Sequence, residues 1–328
     1  MTTQYNQDTG KRQVFIDASA LKNSSCFRNL WWSIFEGYQG SNDKNHKLAF
    51  GSAIHIFLED YYIGKSVKDS ISRAIEYYKP YNETLDVTPR EFRTVSNLIR
   101  ICKAYVEEYG TVEHVWETEK AIEPLKDIDG KPLVEYKFAI PIWANEHFDL
   151  LLSGTIDLVA KYHGYPCVLI DHKTTAMAMN DKFFDNYDWD IQPMLYCKVW
   201  KEANKLEEFP HFVINGVFCK KPTEKGEKSG IFDGVSFKRS SLISYSNDQM
   251  AEFDKWLCKK LYNIIANLSL VSENPKFDPA IDYNMAACKT VFGDCKYFRV
   301  CSLPKENQSI KLDISFIKHH YNPLKFRD

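Results

Sequence analysis

The stretch Val168-Leu169-Ile170-Asp171-His172-Lys173-Thr174-Thr175 decides the reading of this chain. An apolar run ends in Asp-x-Lys. Side chains alternate faces along a strand, so Asp171 and Lys173 share one side while Ile170 and His172 take the other. A carboxylate beside an ammonium at a strand end suits phosphate-ester hydrolysis. The carboxylate can hold a divalent metal, and the lysine can orient or help deprotonate a water and offset developing negative charge. An isolated Asp-x-Lys is also an ordinary solvated surface pair, so the neighbouring segments have to decide.

Fourteen residues upstream, Asp157 stands in Gly154-Thr155-Ile156-Asp157. If YHGYP is a hairpin turn, the two strands pair antiparallel and Asp157 approaches Asp171 across them. Two carboxylates held together are tolerable where a cation neutralises them, and oxygen ligands suit Mg²⁺ or Mn²⁺. Further upstream, in Gly51-Ser52-Ala53-Ile54-His55, His55 and Glu59 share a helix face. Downstream, Gln192 and Tyr196 of QPMLY are four apart on a predicted helix, placed to bond a phosphate or the lysine. Either pair standing alone would read as part of an ordinary amphipathic helix.

Around these segments the chain alternates. Helices are predicted over 17–38, 49–63 and 66–109, the last broken near Pro80 and Pro89. Strands are predicted over 115–123, 134–142, 147–153, 154–161 and 167–173, with turns at DIDGKP and YHGYP. A helix follows over 189–205, strands over 211–219 and 231–238, and an amphipathic helix over 247–270. The tail from 275 reads as irregular. This order gives a mixed α/β core with helical elaboration and demands no separate second domain. There is no internal repeat and no low-complexity tract.

Bulk properties narrow the class further. A net formal charge of −2 advertises no global nucleic-acid coating, which leaves a local basic groove open. No apolar run approaches the ~18 residues of a membrane span, and the opening MTTQYNQDTGKRQ lacks the apolar region of a signal peptide. The expectation is a cytoplasmic protein without a membrane partner, of bacterial or viral origin. There thiols stay reduced, so the nine cysteines point to metal ligation rather than disulfides. Cys288, Cys295 and Cys301 form C-x6-C-x5-C, and Cys26 lies far upstream. Four thiolates can hold zinc or iron–sulfur, and spacing does not choose between them. Cys102, Cys167, Cys197, Cys219 and Cys258 lie in apolar periodic segments and are expected to be buried small hydrophobes. Lys220, Lys221, Lys225, Lys228, Lys238 and Arg239, diluted by Glu224, Glu227 and Asp233, form a local basic patch, the first candidate for phosphate contact. Trp31, Trp32, Tyr61 and Tyr62 either stack on unpaired bases or pack in the core.

In order, GSAIH, GTID, DHK and QPMLY resemble the RecB-like nucleases of the PD-(D/E)xK superfamily, over about residues 49–200. The resemblance implies a restriction-endonuclease-like α/β core, a mixed central sheet flanked by helices. Within a single domain over 1–328 it implies a helical elaboration at 56–112, the nuclease core at 113–240, and a cysteine segment at 275–302 paired with Cys26. It implies that His55, Asp157, Asp171 and the backbone carbonyl of His172 bind Mg²⁺ or Mn²⁺, that Lys173 positions the attacking water, and that Gln192 and Tyr196 support the site or contact nucleic acid. The implied activity is DNA cleavage, often as an exonuclease in recombination, repair or end processing. The cysteines are similar to those of AddB-type and CRISPR-associated nucleases, which implies a [4Fe–4S] cluster on Cys26, Cys288, Cys295 and Cys301, with zinc as the alternative. Their triplet commonly reads C-x2-C-x5-C, and the x6 gap here departs from it. The other function class is a DNA-binding or architectural protein with an inert nuclease fold. With no G-x4-GK[ST] motif, the enzyme either works on ends and single strands unaided or borrows a helicase or recombination partner. Homo-oligomerisation is left open.

Overall fold

The computed structural model describes residues 10–40, 46–82, 92–110, 121–220, 234–274, 288–290 and 293–319. The chain divides into two compact units. One draws on Met1–Asp43, Lys137–Thr155 and Asn247–Asp328, the other on Lys44–Tyr136 and Ile156–Ser246.

The first unit opens with strand β1 (Arg12–Ile16) and helix α1 (Ala18–Asn23). Asp17 caps α1, accepting the Ala20 N–H at 2.7 Å. The predicted continuous helix over 17–38 is broken here. Ser24 turns its hydroxyl back onto the Leu21 carbonyl at 2.7 Å, and Cys26 is extended, with φ −134° and ψ 112°. Short polar side chains that bond nearby backbone compete with helix continuation, and Asn23-Ser24-Ser25 supply three in a row. Helix α2 (Phe27–Leu30) then runs into a π-helical turn, Trp31–Phe35, where Trp31 stacks on Phe35 with centroids 5.2 Å apart. Strand β2 (Tyr38–Gly40) follows.

The second unit begins with helix α3 (His46–Ile63). It buries Ala49, Phe50, Ala53, Ile54, Ile56, Phe57, Leu58, Tyr61 and Tyr62, which occupy most of its circumference, the pattern of an internal helix. Against it lie α4 (Val67–Asn82) and α5 (Val95–Tyr109). Pro80 sits inside α4, which ends two residues beyond it. Pro89 and most of the predicted strand 115–123 lie outside the described residues. Strand β3 (Ile122–Pro124) is the described remainder.

Strands β4 (Val134–Ala144), β5 (Phe148–Tyr162) and β6 (Tyr165–Thr175) come next. The two strands predicted over 147–161 are one, because Ser153-Gly154 continues the extended backbone rather than turning it. Its first half pairs parallel with β1 in the first unit. Its second half pairs antiparallel with β3 and β6 in the second. Short helix α6 (Asp181–Asp185) and helix α7 (Ile191–Asn204) lead to β7 (His211–Cys219) and β8 (Val235–Arg239). Strand β7 runs parallel to β6, as a crossover through α7 requires, and antiparallel to β8. The result in the second unit is a mixed sheet, flanked by the helices that share its core.

The long helix α8 (Asn247–Glu273) returns to the first unit. Its buried residues, Met250, Phe253, Leu257, Ile264 and Leu268, form one stripe. Cys258 lies about 100° round from Leu257, so it is exposed rather than buried as expected; Cys167 is half-buried, while Cys102, Cys197 and Cys219 are buried. The tail expected to be irregular contains β9 (Lys289–Thr290), β10 (Gly293–Asp294), α9 (Phe298–Cys301), α10 (Lys305–Ser315) and β11 (Phe316–Lys318), which pairs with β2. Helix α10 buries only Gln308 and Leu312, too thin a stripe to register as periodicity. No helix among the described residues is long and apolar enough to cross a membrane.

Trp32, Tyr61 and Tyr62 are buried and Trp31 is half-buried, so core packing claims the aromatics weighed as base-stacking groups. Gly216 lies beside Lys173 in the β6–β7 register. A Cβ there would run into Met179 Sδ and stand 3.0 Å from the Lys238 carbonyl oxygen. Gly216→Ala is expected to destabilise by about 1–3 kcal/mol through overpacking, and adding Met179→Ala to recover part of that loss. Denaturant unfolding of both proteins checks this, and an unchanged midpoint for Gly216→Ala would contradict the close approach.

Candidate active site

The register of β5 and β6 builds the site. Leu158 pairs with Ile170, so one step beyond the paired positions Asp157 stands opposite Asp171. The His172 N–H donates to Asp157 Oδ2 at 2.7 Å. In an extended strand the N–H and C=O of one residue leave by the same edge, so the His172 carbonyl belongs to the Asp157 side as well. Helix α3 brings His55, whose Nδ1 lies 3.5 Å from Asp157 Oδ2.

Glu135 completes this group and was not anticipated. Ligand atoms of His55, Glu135 and Asp157 all lie within 4.8 Å of one another. Glu135 reaches it from the start of β4 with φ +50°, a left-handed backbone that costs a non-glycine residue energy. Nothing in LVEYKF marks a strained position, and the residue lies outside all four motifs, so sequence periodicity held no signal for it. One imidazole and two carboxylates make a donor set that fits a hard divalent cation such as Mg²⁺ or Mn²⁺.

Asp171 lies just outside that set and makes a second, adjoining group. Lys173 Nζ is 2.6 Å from Asp171 Oδ2. Gln192 Nε2 donates to Asp171 Oδ1 at 2.7 Å, and its Oε1 accepts from Lys173 Nζ at 3.1 Å. Gln192 can do both because Asp190 caps α7, accepting the Gln192 N–H at 2.9 Å and fixing the first turn beneath the strand end. Tyr196 is buried one turn further along.

Burial and charge compete here. Asp171 is 2% exposed, and burial pushes its carboxyl above the ordinary value against the pull of Lys173, with Asp157 adding to the rise. At Lys173 burial acts downward, but Asp171 and Asp157 outweigh it and hold the ammonium above its ordinary value. The lysine is therefore charged at neutral pH. Tyr187 is a second unanticipated neighbour. Burial raises its phenol pKa, and Lys173 and Asp171 act on it with opposite signs.

His172 faces the other side of β6, as alternation predicts, and is 3% exposed. Its ring stacks on Tyr62, with centroids 5.5 Å apart and planes at 7°. Burial holds its pKa well below the ordinary value, so the ring is neutral.

The basic patch is only partly described. Lys221, Lys225, Lys228, Glu224, Glu227 and Asp233 lie outside the described residues, and Lys220 is exposed. Lys238 pairs with Asp181 at 3.3 Å. Arg239 does not serve the patch: its guanidinium lies 4.0 Å over the Tyr109 ring and 5.3 Å from the Tyr162 centroid.

In the first unit, Cys26 is buried and Cys288, Cys295 and Cys301 are half-buried. Strands β9 and β10 pair antiparallel, and the Cys295 N–H donates to the Cys288 carbonyl at 2.8 Å. This pairing brings Cys288 and Cys295 together despite the wide gap between them in sequence. Burial raises the Cys295 thiol, with Cys26 and Cys288 adding to the rise. Burial also pushes the Cys301 thiol up to about 11, against a hydrogen bond from Arg28. Asn29 Nδ2 donates to Cys295 Sγ at 3.7 Å. Among the described residues these thiols do not form a set within 4.8 Å, as His55, Glu135 and Asp157 do.

A comparison with protein-family models matches the PD-(D/E)XK nuclease superfamily over residues 26–302. No curated protein matches the chain.

If Glu135 is a ligand, Glu135→Gln should weaken Mn²⁺ binding about 10- to 100-fold. The stabilisation by saturating Mn²⁺ would then shrink by about 1.4–2.7 kcal/mol. Thermal unfolding with and without Mn²⁺ measures this, and an undiminished Mn²⁺ shift would remove Glu135 from the site.

Proposed function

The chain belongs to the PD-(D/E)XK nuclease superfamily, and from that premise we propose that it is a divalent-metal-dependent deoxyribonuclease acting on DNA ends or single strands. The observation that carries this reading is the contact between two groups. His55, Glu135 and Asp157 offer a cation-binding set, and Asp171, Lys173 and Gln192 adjoin it as a hydrogen-bonded triangle. A degenerate, purely architectural relative would not need a half-buried charged lysine held against these carboxylates.

His55, Asp157, Glu135, Asp171 and the His172 carbonyl would hold the metal. Bound there, Mg²⁺ or Mn²⁺ would neutralise charge on the phosphoryl oxygens and acidify a water. The rest falls to the chain's own groups. Lys173 Nζ orients the attacking water and offsets the charge that develops on the phosphate. Gln192 holds Lys173 and Asp171 in register with each other. The buried Asp157, tied by the His172 amide, keeps its oxygens turned to the cation. Tyr196 supports the α7 turn from behind. Lys220 remains the described candidate for a phosphate contact beyond the scissile group.

The preference for ends or single strands, and service in recombination, repair or end processing, rest on the order of GSAIH, GTID, DHK and QPMLY, which resembles the RecB-like branch. The family match runs through both units and supports reading 1–328 as one nuclease domain, with 56–112 as its helical elaboration. We also propose a [4Fe–4S] cluster on Cys26, Cys288, Cys295 and Cys301. Its support is the approach of Cys26 and Cys288 to Cys295 and the donors Arg28 and Asn29 turned toward the sulfurs.

Cleavage of end-labelled linear and closed-circular DNA, single- and double-stranded, with Mg²⁺ or Mn²⁺ tests the activity. Asp171→Ala and Lys173→Ala are each expected to lower the rate by at least about 100-fold, and chelation to abolish it. Cutting of linear DNA alone would make the enzyme an exonuclease, and cutting of circles an endonuclease. No cutting by anaerobically prepared wild type would turn the reading to the architectural alternative. That preparation should carry about four irons per chain, lost in Cys295→Ser. Zinc in place of iron would overturn the cluster assignment.

A further inference from the structure

Between the two catalytic positions of β6 sits His172, whose side chain faces away from the reaction. Its neighbour across the parallel β6–β7 pairing is Asn215, a polar residue with 0% exposure in an otherwise apolar strand. Asn215 bonds three partners. Its Nδ2 lies 2.8 Å from His172 Nδ1 and 3.0 Å from the Tyr105 hydroxyl, and its Oδ1 lies 3.4 Å from Arg239 Nε. Tyr105 and Tyr62 share a 2.7 Å bond between hydroxyls, and Tyr62 is the ring stacked on His172. The circuit closes on the histidine.

The direction of each Asn215 bond in this circuit follows from one residue. A guanidinium only donates. Arg239 Nε therefore faces the amide oxygen of Asn215, and the amide NH₂ must face His172 and Tyr105. His172 Nδ1 then accepts, and the ring proton sits on Nε2. The Tyr105 hydroxyl accepts from Asn215, and either hydroxyl can donate in its bond with Tyr62. Arg239 in turn is held over the faces of Tyr109 and Tyr162, which fixes its direction.

We propose that Asn215 is a positioning residue that acts through His172 on the cation site. This rests on the nuclease reading above. The mechanism is mechanical. His172 is the one residue of β6 whose amide holds Asp157, at 2.7 Å, and whose carbonyl shares that edge. A strand residue gripped by its side chain on one face cannot roll, so the Asn215 bond on the far face sets the direction of the amide and carbonyl on the near edge. Partners one shell behind a metal ligand act in this way, and their loss typically costs 10- to 100-fold in metal affinity.

Two variants separate positioning from mere packing. Asn215→Leu removes both donors and the acceptor at similar volume. Asn215→Asp keeps the acceptor toward Arg239 but presents an oxygen to His172 Nδ1, which then has to carry a proton. Full-length proteins are compared at a temperature where circular dichroism shows each folded. Mn²⁺ affinity is read by paramagnetic resonance, kcat and KM on linear DNA, and the His172 ring proton by ¹⁵N magnetic resonance.

The expected result is a ring proton on Nε2 in the wild type and on Nδ1 in Asn215→Asp. Asn215→Leu, which removes the grip, should bind Mn²⁺ about 10- to 100-fold more weakly, with kcat falling and KM for DNA held within about twofold, while Asn215→Asp, which still bonds His172 Nδ1, should keep Mn²⁺ affinity close to wild type. A residue that merely packs would lower the unfolding midpoint and leave Mn²⁺ affinity and kcat untouched; that outcome in folded Asn215→Leu overturns the proposal. A wild-type ring proton on Nδ1 overturns the circuit's direction without reference to metal. Wild type that binds no Mn²⁺ at all would instead strike the nuclease reading, and this proposal would fall with it.

Discussion

The pairing of β5 with β6 is the constraint on which the site depends. Its register stands Asp157 opposite Asp171, and the His172 amide ties the first of these carboxylates in place at 2.7 Å. Slipping the pairing by one residue would turn Asp171 and Lys173 into the core and His172 out of it. One face of β6 resists that: Val168 and Ile170 are fully buried on it, and on the same face His172 is bonded to Asn215 and stacked on Tyr62.

The charges gathered by this register are stable as a group although no member would be stable alone. Burial raises the proton affinity of Asp171, and Asp157 adds to the rise. Lys173 answers one carboxylate directly, and Gln192 spans lysine and acid with an amide that donates at one end and accepts at the other. What is left over is the cluster of His55, Glu135 and Asp157, two carboxylates with one imidazole between them. The strained backbone of Glu135 shows that the fold spends energy to bring that second carboxylate in. Such a balance makes sense when a cation belongs to the arrangement.

Much of this was readable from residues alone, for definite reasons. Asp171 and Lys173 obey the two-residue period of a strand, Asp157 obeys hairpin arithmetic, and Gln192 sits one cap residue into a helix, so local rules suffice for all four. Glu135 obeys no local rule. It enters the site through a left-handed φ that depends on the strand partners around it, and the same holds for Tyr187, delivered by a turn between two helices. The unbroken helix expected over 17–38 failed because side-chain-to-backbone bonds at Ser24 outcompete an apolar stripe that spans the break. The merging of two predicted strands into β5 reflects a strand boundary placed at Ser153-Gly154, where the backbone in fact stays extended. Arg239 counted as a surface charge until aromatic faces, invisible to a charge count, were seen to enclose it.

Strand β5 has its first half in one unit and its second half in the other, and the first unit is assembled from three separated stretches of chain. This has a consequence for synthesis on the ribosome. Every residue of the candidate site is present once the chain has been made through Ser246, while the first unit still lacks α8 and the cysteine-bearing segment. At ordinary elongation rates of about 5–20 residues per second, the first third of that unit waits roughly 10–40 s for α8. During that interval β1 and the front half of β5 have α1 and the Trp31–Phe35 turn beside them but not yet α8 or the cysteine-bearing segment. Cells making this protein quickly would meet that half-built unit as the vulnerable species, ahead of any instability in the finished fold.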